Sequence, residues 1–423
     1  MGLTSTLYTG ISGLQANSEA MSVTGNNISN SNTIGFKSSS TLFSDVLSAS
    51  ISSASGDSQV GRGTQIATVQ TSFSQGSFQS TSNSTDLAIE GDGFFMVSEA
   101  DSSETLYTRN GSLSFDADGY LVNSEGYRVQ GKSFDANDEL VGGDPSDIQV
   151  NINNQIPAQQ TGSLTLTTNL DADSSVVGPF DISDPDSTSN YSTSTQIYDS
   201  LGNTHLATTY FSMTADQSWE WHTAVDSSEL DTSVAGVDAL TEIGSGTLSF
   251  DSSGNLVTGS TAVTTAGSLV WNNGSDATQQ IDMTFNTTQY SSNSVVISQS
   301  QDGYAPGEVV QVNIDNSGTV TASYSNGASI DVAMLTLATF TNASGLSKEG
   351  GSLYAETSSS GEPSVGTSGA SQGYIYTNSL ELSNVDLAAE FVDLITIQNG
   401  YSASSKVITT TDEMLQEVIS LIR

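Results

Sequence analysis

Few residues in this chain have the types and spacing that chemistry requires. A Gly-x-Ser-x-Gly pattern occurs at 369–373. In a hydrolase this pattern presents a nucleophilic serine on a strand-to-helix turn, and the catalytic histidine follows it along the chain. The chain's two histidines, His205 and His222, both precede Ser371. We therefore interpret the pattern as chance in a Gly/Ser-rich loop, and no catalytic residue is predicted.

Two further patterns could bind ligands. Asp116-Ala-Asp-Gly119 opens like an EF-hand loop but lacks the third carboxylate and the closing glutamate. Because Asp commonly bonds its own backbone at turns, a structural turn is favoured and calcium binding is the alternative. Trp219 and Trp221 share one face of a predicted strand, which favours a packed β face over a carbohydrate platform. No metal or cofactor residue is assigned, and we expect no enzyme activity.

Charge and composition exclude several classes of function. The 423 residues include 47 acidic and 8 basic ones, for a net charge of −39, and no cysteine. Disulfides and cysteine-based metal sites are thus excluded. Nucleic acid and anionic lipid bind clustered Lys and Arg, whereas here the basic residues are scattered singly. They are Lys37, Arg62, Arg109, Arg128, Lys132, Lys348, Lys406 and Arg423.

The sequence also indicates where the protein is located. No run of 18 apolar residues occurs, so membrane insertion is not expected. The first basic side chain is Lys37, and the N-terminus does not read as a secretory signal. The Ser/Thr/Gly-rich, lysine-poor composition nevertheless favours a protein exposed outside the cell. Export by a route that reads an unstructured N-terminus would reconcile the two observations.

The long middle of the chain predicts β-structure. Apolar and polar residues alternate in Ser163-Leu-Thr-Leu-Thr167, and 39 glycines against 6 prolines favour tight turns. An apolar–Asp–x–x–Gly–x–apolar unit recurs at 115–121, 250–256 and 314–320. In each unit Asp opens the turn and Gly supplies a positive φ, so we predict repeated hairpins.

Composition shifts near Pro145 and Asp302 suggest the domain organisation. We predict a terminal helical assembly domain (1–30 and 384–423), a connector (31–63), a β domain shared by both halves (64–144 and 303–383) and an inserted outer β domain (145–302). The fold is mainly β with an α-helical terminal layer. The N- and C-terminal helices pair in a coiled-coil-like inner domain, followed by the shared β domain and the inserted one.

Both ends of the chain carry a seven-residue apolar repeat. Such a seam lies on one side of a helix and needs another helix to cover it. Pairing within one molecule and pairing with other copies are both open, because further apolar residues of the C-terminal helix make its stripe wider than one helix covers. The predicted assembly seam comprises Leu7, Leu14, Met21, Ile28, Leu387, Leu394, Tyr401, Ile408, Leu415 and Ile422, and the further residues are Val385, Phe391, Ile395, Ile397, Val407, Val418 and Ile419.

Local signals refine the two terminal helices. Gly10 and Gly13 each cost a helix about 1 kcal/mol relative to Ala, so residues 1–30 should need partners to order. Ser383 and Asp386 resemble a capping box at the start of the C-terminal helix. Gly400 is a possible break, but the seam continues in phase through it and predicts one continuous helix.

The motifs at both ends resemble those of a known family. Residues 22–37 (SVTGNNISNSNTIGFK) resemble the N-terminal signature of the bacterial flagellar axial proteins, the rod and hook family. Residues 87–95, 107–111 and 118–122 resemble the family's shared β domain, and 383–387 with 406–414 its C-terminal helix. The signature positions are Asn26, Asn27, Asn30, Thr33, Gly35, Phe36 and Lys37.

Within that family, the 146–300 insertion together with 301–308 and 324–327 resembles the hook subunit. The resemblance implies a structural subunit of the extracellular flagellum that polymerises with itself into a flexible tube and transmits torque from rod to filament. It implies rod proteins, hook–filament junction proteins, the hook cap and the export apparatus as partners. The alternatives are a distal rod or other axial protein and, in a different class, a secreted β-rich adhesin or glycan-binding protein.

Overall fold

The computed structural model describes residues 3–53, 56–100, 102, 104–135, 139–152, 155–233, 235–236, 238–257, 269–369 and 371–421. The chain divides into two compact units. Unit 1 comprises Met1–Asn151, Gln311–Ala322 and Ser329–Arg423, and unit 2 comprises Ile152–Val310 and Ser323–Ala328.

The structure is mainly β with a long helix at each end. The first part of the chain contains α1 (Leu3–Ser29), β1 (Ser39–Asp45), β2 (Ala49–Ser53), β3 (Gly56–Val60), β4 (Thr64–Thr71), β5 (Phe78–Ser80), β6 (Leu87–Glu90), β7 (Phe94–Ser98), β8 (Thr105–Thr108), β9 (Leu113–Phe115), β10 (Leu121–Asn123), β11 (Arg128–Ser133) and β12 (Ser146–Asp147). The middle contains β13 (Ser163–Asp171), α2 (Pro185–Thr188), β14 (Tyr191–Tyr198), β15 (Thr204–Ala215), β16 (Ser218–Asp226), a 3₁₀ turn (Ser227–Glu229), β17 (Leu240–Ser249), β18 (Asp282–Tyr290) and β19 (Val295–Gln301). The last part contains β20 (Val309–Ile314), β21 (Thr319–Tyr324), β22 (Ser329–Thr339), a 3₁₀ turn (Ala343–Gly345), β23 (Ser347–Gly350), β24 (Leu353–Ala355), β25 (Ser364–Thr367), β26 (Tyr374–Thr377), β27 (Ser379–Glu381) and α3 (Leu387–Leu421).

Unit 1 combines strands from both halves of the chain. Its main sheet follows the order β20-β21-β22-β11-β7-β8-β24-β23, so three strands from the first half lie between strands from the second half. Smaller pairs also join the halves: β26 pairs with β6, and β27 with β5. A cluster of aromatic rings packs the sheet, with Tyr107 and Phe340 edge-to-face at 4.7 Å. The main sheet of unit 1 can therefore form only when segments from both halves of the chain come together.

The two terminal helices pair with each other, as predicted. α3 runs without interruption through Gly400, which confirms the single continuous helix. The predicted capping box is wrong in detail. The Asp386 carboxylate accepts from Ala388 N (2.9 Å) and Ala389 N (3.3 Å), so Asp386 is the N-cap. Ser383 instead accepts from Val385 N in the segment before the helix.

The recurring turns form as predicted. Asp116 Oδ1 accepts from Asp118 N (3.0 Å) and Tyr120 N (2.8 Å), and Gly119 has φ +82°. Asp251 and Asp315 close equivalent turns around Gly254 and Gly318, which also have positive φ. The structure adds two such turns that the sequence reasoning missed, at Asn123 and Asp199. Their side-chain oxygens bond their own backbone, which is the structural role preferred over calcium.

Unit 2 has a core of its own. One antiparallel sheet has the order β14-β15-β16-β17, and the second, β18-β13-β19, pairs β13 with β18 in parallel. Their inner faces supply one cluster, in which the Trp221 and Phe285 ring centroids lie 4.6 Å apart. Trp219 and Trp221 are both fully buried in it. The packed β face is confirmed, and these rings cannot offer a carbohydrate platform.

The compact units have different bounds from the predicted domains. Ser146 and Asp147 pair with β11, so the chain stays in unit 1 beyond the predicted boundary at 145. The bridges Gln159–Tyr304 and Ile156–Gly307 keep 303–310 in unit 2, beyond the predicted end at 302. The terminal helices and the connector fall within unit 1, as does the predicted shared β domain apart from residues 303–310 and 323–328. Among the described residues, no helix is both long and apolar enough to span a membrane.

Candidate assembly site

The pairing of α1 with α3 depends on small residues at the contact. A Cβ added to Gly10 would lie 2.7 Å from Ile408 Cγ1, and one added to Gly13 would lie 2.7 Å from Ser404 Oγ. Contact at 2.7 Å is well inside ordinary packing distance, so a side chain at either glycine would push the helices apart. The sequence reasoning counted these glycines only as a cost to α1. Their absent side chains are what allows α3 to approach.

The most buried face of α1 is accordingly a stripe of small and polar residues. The stripe follows helical spacing, so that its members lie on one side of the helix. It comprises Gly10, Gly13, Ala16, Ala20, Thr24 and Asn27. A face of small residues permits a closer approach of two helices than the leucine-lined seam of a coiled coil, whose knobs keep the two axes apart.

The predicted assembly seam flanks this contact and is only partly covered. Half-buried members are Leu7, Leu14, Met21, Ile28, Leu394, Ile408 and Leu415. Leu387 and Tyr401 are exposed, and Ile422 lies outside the described residues. Within one chain, each helix covers part of the other's seam and leaves the remainder open to solvent.

We define the outer face of α3 as its exposed apolar residues. They are large side chains that are 39% to 77% exposed. The outer face comprises Leu387, Phe391, Val392, Ile395, Tyr401, Val407, Met414, Val418, Ile419 and Leu421. It includes most of the apolar residues that made the predicted stripe too wide for one partner, while Val385 and Ile397 are half-buried. A large exposed apolar surface of this kind marks an interaction site.

A substitution at Gly13 should separate the helix pair. Gly13→Leu is expected to cost about 1–3 kcal/mol by overpacking against α3, and so to raise the protein concentration needed for assembly roughly 5- to 150-fold. The matched control is Gly25→Leu in the same helix, because a Cβ at Gly25 meets nothing within 4 Å. Both changes improve helix propensity equally, so an equal effect on the assembly threshold measured by sedimentation would contradict the packing role.

The signature residues of the N-terminal segment divide into buried and exposed sets. Asn27 is buried, and its amide donates to Ser39 O (2.7 Å) and to Glu390 Oε1 (2.8 Å). It therefore joins α1, the first strand and α3. Gly35 has φ +67°, and its N–H donates to Glu381 O at 2.8 Å. A Cβ there would lie 2.7 Å from the Arg109 carbonyl carbon, so both conformation and space require glycine.

The exposed signature residues surround a cleft of unit 1. Asn30 donates to Asn26 O (2.9 Å) and accepts from Thr33 Oγ1 (3.0 Å), which holds the turn after α1. These residues and half-buried Phe36 line a cleft of about 410 Å³ together with Lys348 and Tyr354. The Lys348 ammonium lies 5.5 Å from the Phe36 ring centroid and donates to Ser39 Oγ at 2.8 Å.

The last signature residue, Lys37, anchors a buried ion cluster. Its ammonium donates to Glu381 Oε1 (2.6 Å) and Ser74 O (2.9 Å), and both ionised side chains are fully buried. Glu381 Oε1 also accepts from Gln75 Nε2 (2.7 Å) and Gly76 N (2.8 Å). We call Lys37, Glu381 and Arg109, whose Nη1 lies 3.5 Å from Glu381 Oε2, the buried triad.

Electrostatics make Glu381 the central member of the triad. Burial lowers the pKa of Lys37, and Glu381 beside it raises that pKa in partial opposition. Burial likewise lowers the pKa of Arg109, again opposed by Glu381. One carboxylate thus supports two buried cations. Because Lys37 lies in the signature segment and Glu381 ends the strand that precedes α3, the triad links these two parts of the chain.

The sequence reasoning did not identify Glu381 or Gln75. A weak signal existed, because Glu381 lies between Leu380 and Leu382 in a strand. The residues around Glu381 in the sequence do not show which cation lies opposite its carboxylate. The serine of the 369–373 pattern, Ser371, donates to Gln372 Oε1, and residues 369 and 373 bridge each other in a tight turn. That turn differs from the strand-to-helix geometry a nucleophilic serine needs.

Family models match four segments of the chain. "Flagella basal body rod protein" matches residues 7–37, and "Flagellar hook protein FlgE/F/G D1 domain" matches 88–169. "Flagellar basal body protein FlaE D2 domain" matches 169–304, and "Flagellar basal body rod FlgEFG protein C-terminal" matches 376–421. The first and last matches contain the buried signature residues and α3, respectively.

Three relatives that match nearly the whole chain are described as flagellar hook proteins. The flagellar hook protein FlgE of Treponema pallidum is 34% identical, over 99% of each chain. The flagellar hook proteins FlgE of Borreliella burgdorferi (98% of this chain, 99% of that one) and Salmonella typhimurium (97% and 98%) are each 33% identical. A crystal structure of Helicobacter pylori flagellar hook protein FlgE2 covers 72% of this chain and 100% of that one, at 16% identity and a TM-score of 0.49.

Proposed function

This chain belongs to the flagellar hook protein family, structural subunits that polymerise into the hook of the extracellular flagellum, and from that premise we propose that the outer face of α3 is the surface through which copies join. In this proposal α1 and α3 form a paired element within each subunit. Neighbouring subunits then cover the apolar surface that the pair leaves open, and the polymer is a flexible tube that transmits torque from rod to filament.

The observation that carries this proposal is the unequal covering of the two helices. α1 buries its small-residue stripe, whereas α3 retains ten apolar side chains that are 39% to 77% exposed. Apolar burial contributes about 25 cal/mol per Å². Covering the outer face of α3 therefore favours association. A head-to-tail contact that does not close on itself generates a helical polymer, which is the form a tube requires.

The relatives that cover the whole chain are hook proteins and give no support to a distal rod protein or a secreted adhesin. We propose no catalytic role for the chain. The Asp116 carboxylate bonds its own backbone, and Ser371 bonds Gln372. The buried triad holds its charges away from solvent, which suits support of the fold rather than contact with a substrate.

We further propose partners and domain roles that follow from family membership. Rod proteins and hook–filament junction proteins are the proposed neighbours at the two ends of the tube, and the cap and export apparatus act during assembly. Residues 1–30 and 384–423 would form the assembly domain and 31–63 the connector. The shared β domain (64–144 and 303–383) and the inserted domain (145–302) would complete the subunit. Terminal helices that order fully only on assembly would keep the exported chain soluble.

Electron microscopy of the concentrated full-length protein tests the proposed function. Tubes are expected from the full chain and not from a chain lacking residues 1–29, because α3 then loses the helix that covers its inner side. All three tryptophans lie in unit 2, so unchanged tryptophan fluorescence would show that the truncated chain still folds there. Persistent monomers of the full chain, or tubes formed equally well without α1, would contradict the proposal.

A further inference from the structure

Lys406 is exposed on the assembly helix, and it pairs with none of the carboxylates that the structure describes. Three of the chain's eight basic side chains form ion pairs: Lys37 and Arg109 with Glu381, and Arg128 with Asp147. Arg62 is also exposed and Lys132 half-buried, both in the β-rich part of unit 1. Within the described ranges no carboxylate lies within 4.0 Å of the Lys406 ammonium. A chain with 47 acidic residues thus leaves a cation on α3 unpaired.

The same helix carries a cleft with the opposite charge. Glu390 and Asp393 line a cavity of about 260 Å³ between α3, α1 and β1, and no basic side chain lines it. Glu390 is partly satisfied by Asn27, whose amide donates to its Oε1 at 2.8 Å. Burial raises the pKa of Glu390, with the Asp393 charge adding to the effect. A cation entering this cleft would therefore be stabilised.

The two features point to different sides of α3. Residues 404 and 408 contact α1 at Gly10 and Gly13, and Lys406, two positions from each, lies on the opposite side of the helix. Asp393 precedes Lys406 by 13 residues, which is about 20 Å along the axis and roughly 140° around it. One copy cannot bring these side chains together. Two copies can, and a contact between different sides of two copies leaves each copy able to bind a further one, which gives a helical polymer when the rotation does not close.

We propose that Lys406 of one copy pairs with the Glu390–Asp393 cleft of a neighbouring copy, setting the register of successive α3 helices. This proposal rests on the proposed function and specifies a polar contact beside the apolar one. The exposed residues Phe391, Val392 and Ile395 lie next to the cleft in sequence, so the ion pair would form at the margin of the apolar contact. Apolar burial supplies affinity there, and charge complementarity supplies register.

A charge-reversal cycle tests the pair. The threshold concentration for tubes would be measured by sedimentation for the full-length wild type, Lys406→Glu, Asp393→Lys and the double variant. Each single change should raise the threshold at least tenfold at low salt, and the double variant should recover most of that loss. The effect should shrink in about 0.5 M salt, where the Debye length falls to a few ångströms. Lys132→Glu makes the same change in net charge in β11, outside the terminal helices, and should have little effect.

Other outcomes would contradict the proposed ion pair between copies. Equal effects of Lys406→Glu and Lys132→Glu would mean that net charge, not a specific contact, controls assembly. Additive single effects without recovery in the double variant would mean that Lys406 contacts something other than the cleft of a second copy. Unchanged thresholds in all variants, with tubes still forming, would contradict the proposed ion pair but not the proposed function. If the wild type forms no tubes, both the ion pair and the proposed function are contradicted.

Discussion

Glu381→Ala should lower the free energy of unfolding of unit 1 by about 3–5 kcal/mol. Removing one member of a buried ion pair leaves the remaining charge uncompensated, and such changes have costs of this size. Here the loss would leave two cations, Lys37 and Arg109, buried without their carboxylate. The N–H of Gly76 and the amide of Gln75 would lose an acceptor as well.

Unfolding in urea measures this effect and separates the two units. Far-UV circular dichroism follows the whole chain, whereas tryptophan fluorescence follows unit 2, which holds all three tryptophans. The dichroism transition of Glu381→Ala should move to lower urea while the fluorescence transition stays in place. If both transitions move together, the units unfold as one, and the local reading of the triad is wrong.

The matched control is a half-exposed ion pair in the same unit. Arg128 and Asp147 lie 3.3 Å apart, and their side chains are 21% and 28% exposed. Asp147→Asn should cost at most about 1 kcal/mol, because solvent screens such pairs. A cost for Glu381→Ala no larger than this would contradict the central role of Glu381. A double variant with Lys37→Met should cost less than the sum of the single changes, since the two groups are coupled.

Val392→Ser combined with Ile395→Ser should nearly abolish tube formation. These side chains of the outer face are 63% and 56% exposed. If a neighbouring subunit covers them, their apolar burial contributes about 1–2 kcal/mol each. Losing both would raise the threshold concentration for assembly roughly 30- to 1000-fold. Serine resembles valine and isoleucine in helix propensity, so α3 itself should remain helical.

Two equally exposed apolar residues of unit 2 provide the control. Ile297 and Val295 of β19 are 64% and 49% exposed. Changing both to serine removes similar apolar surface outside the terminal helices and should leave the assembly threshold within a few-fold of wild type. If this pair lowers assembly as strongly as the α3 pair, exposed apolar surface in general drives association. The outer face of α3 would then have no special role.

The repeating local structure was predictable from the sequence. The Asp–x–x–Gly turns form as expected because each depends on one side chain, its own backbone and a glycine a few residues away. α3 continues through Gly400 because the apolar repeat stays in phase there. The missed turn at Asn123 follows the same rule, with an amide oxygen in place of a carboxylate. A search restricted to Asp could not find it.

The details of the candidate site were less predictable. The seven-residue repeat located both helices but not the face by which they touch, which is the small-residue stripe of α1. A glycine in a helix looks unfavourable from propensity alone. Only the position of Ser404 against Gly13 shows why a side chain is excluded there. The compact units extend past the predicted domain limits at 145 and 302 for a similar reason, because strand pairing carries the chain past each shift in composition.

The sequence by itself determined the β-rich middle, the terminal helices, the turns and the resemblance to flagellar axial proteins. Each of these depends on residues close together along the chain, where periodicity and turn chemistry operate. Only the tertiary structure decided that Lys37 meets Glu381, 344 residues away, and which face of α3 stays open. No local rule relates residues at such separation, because their meeting depends on how every intervening strand pairs.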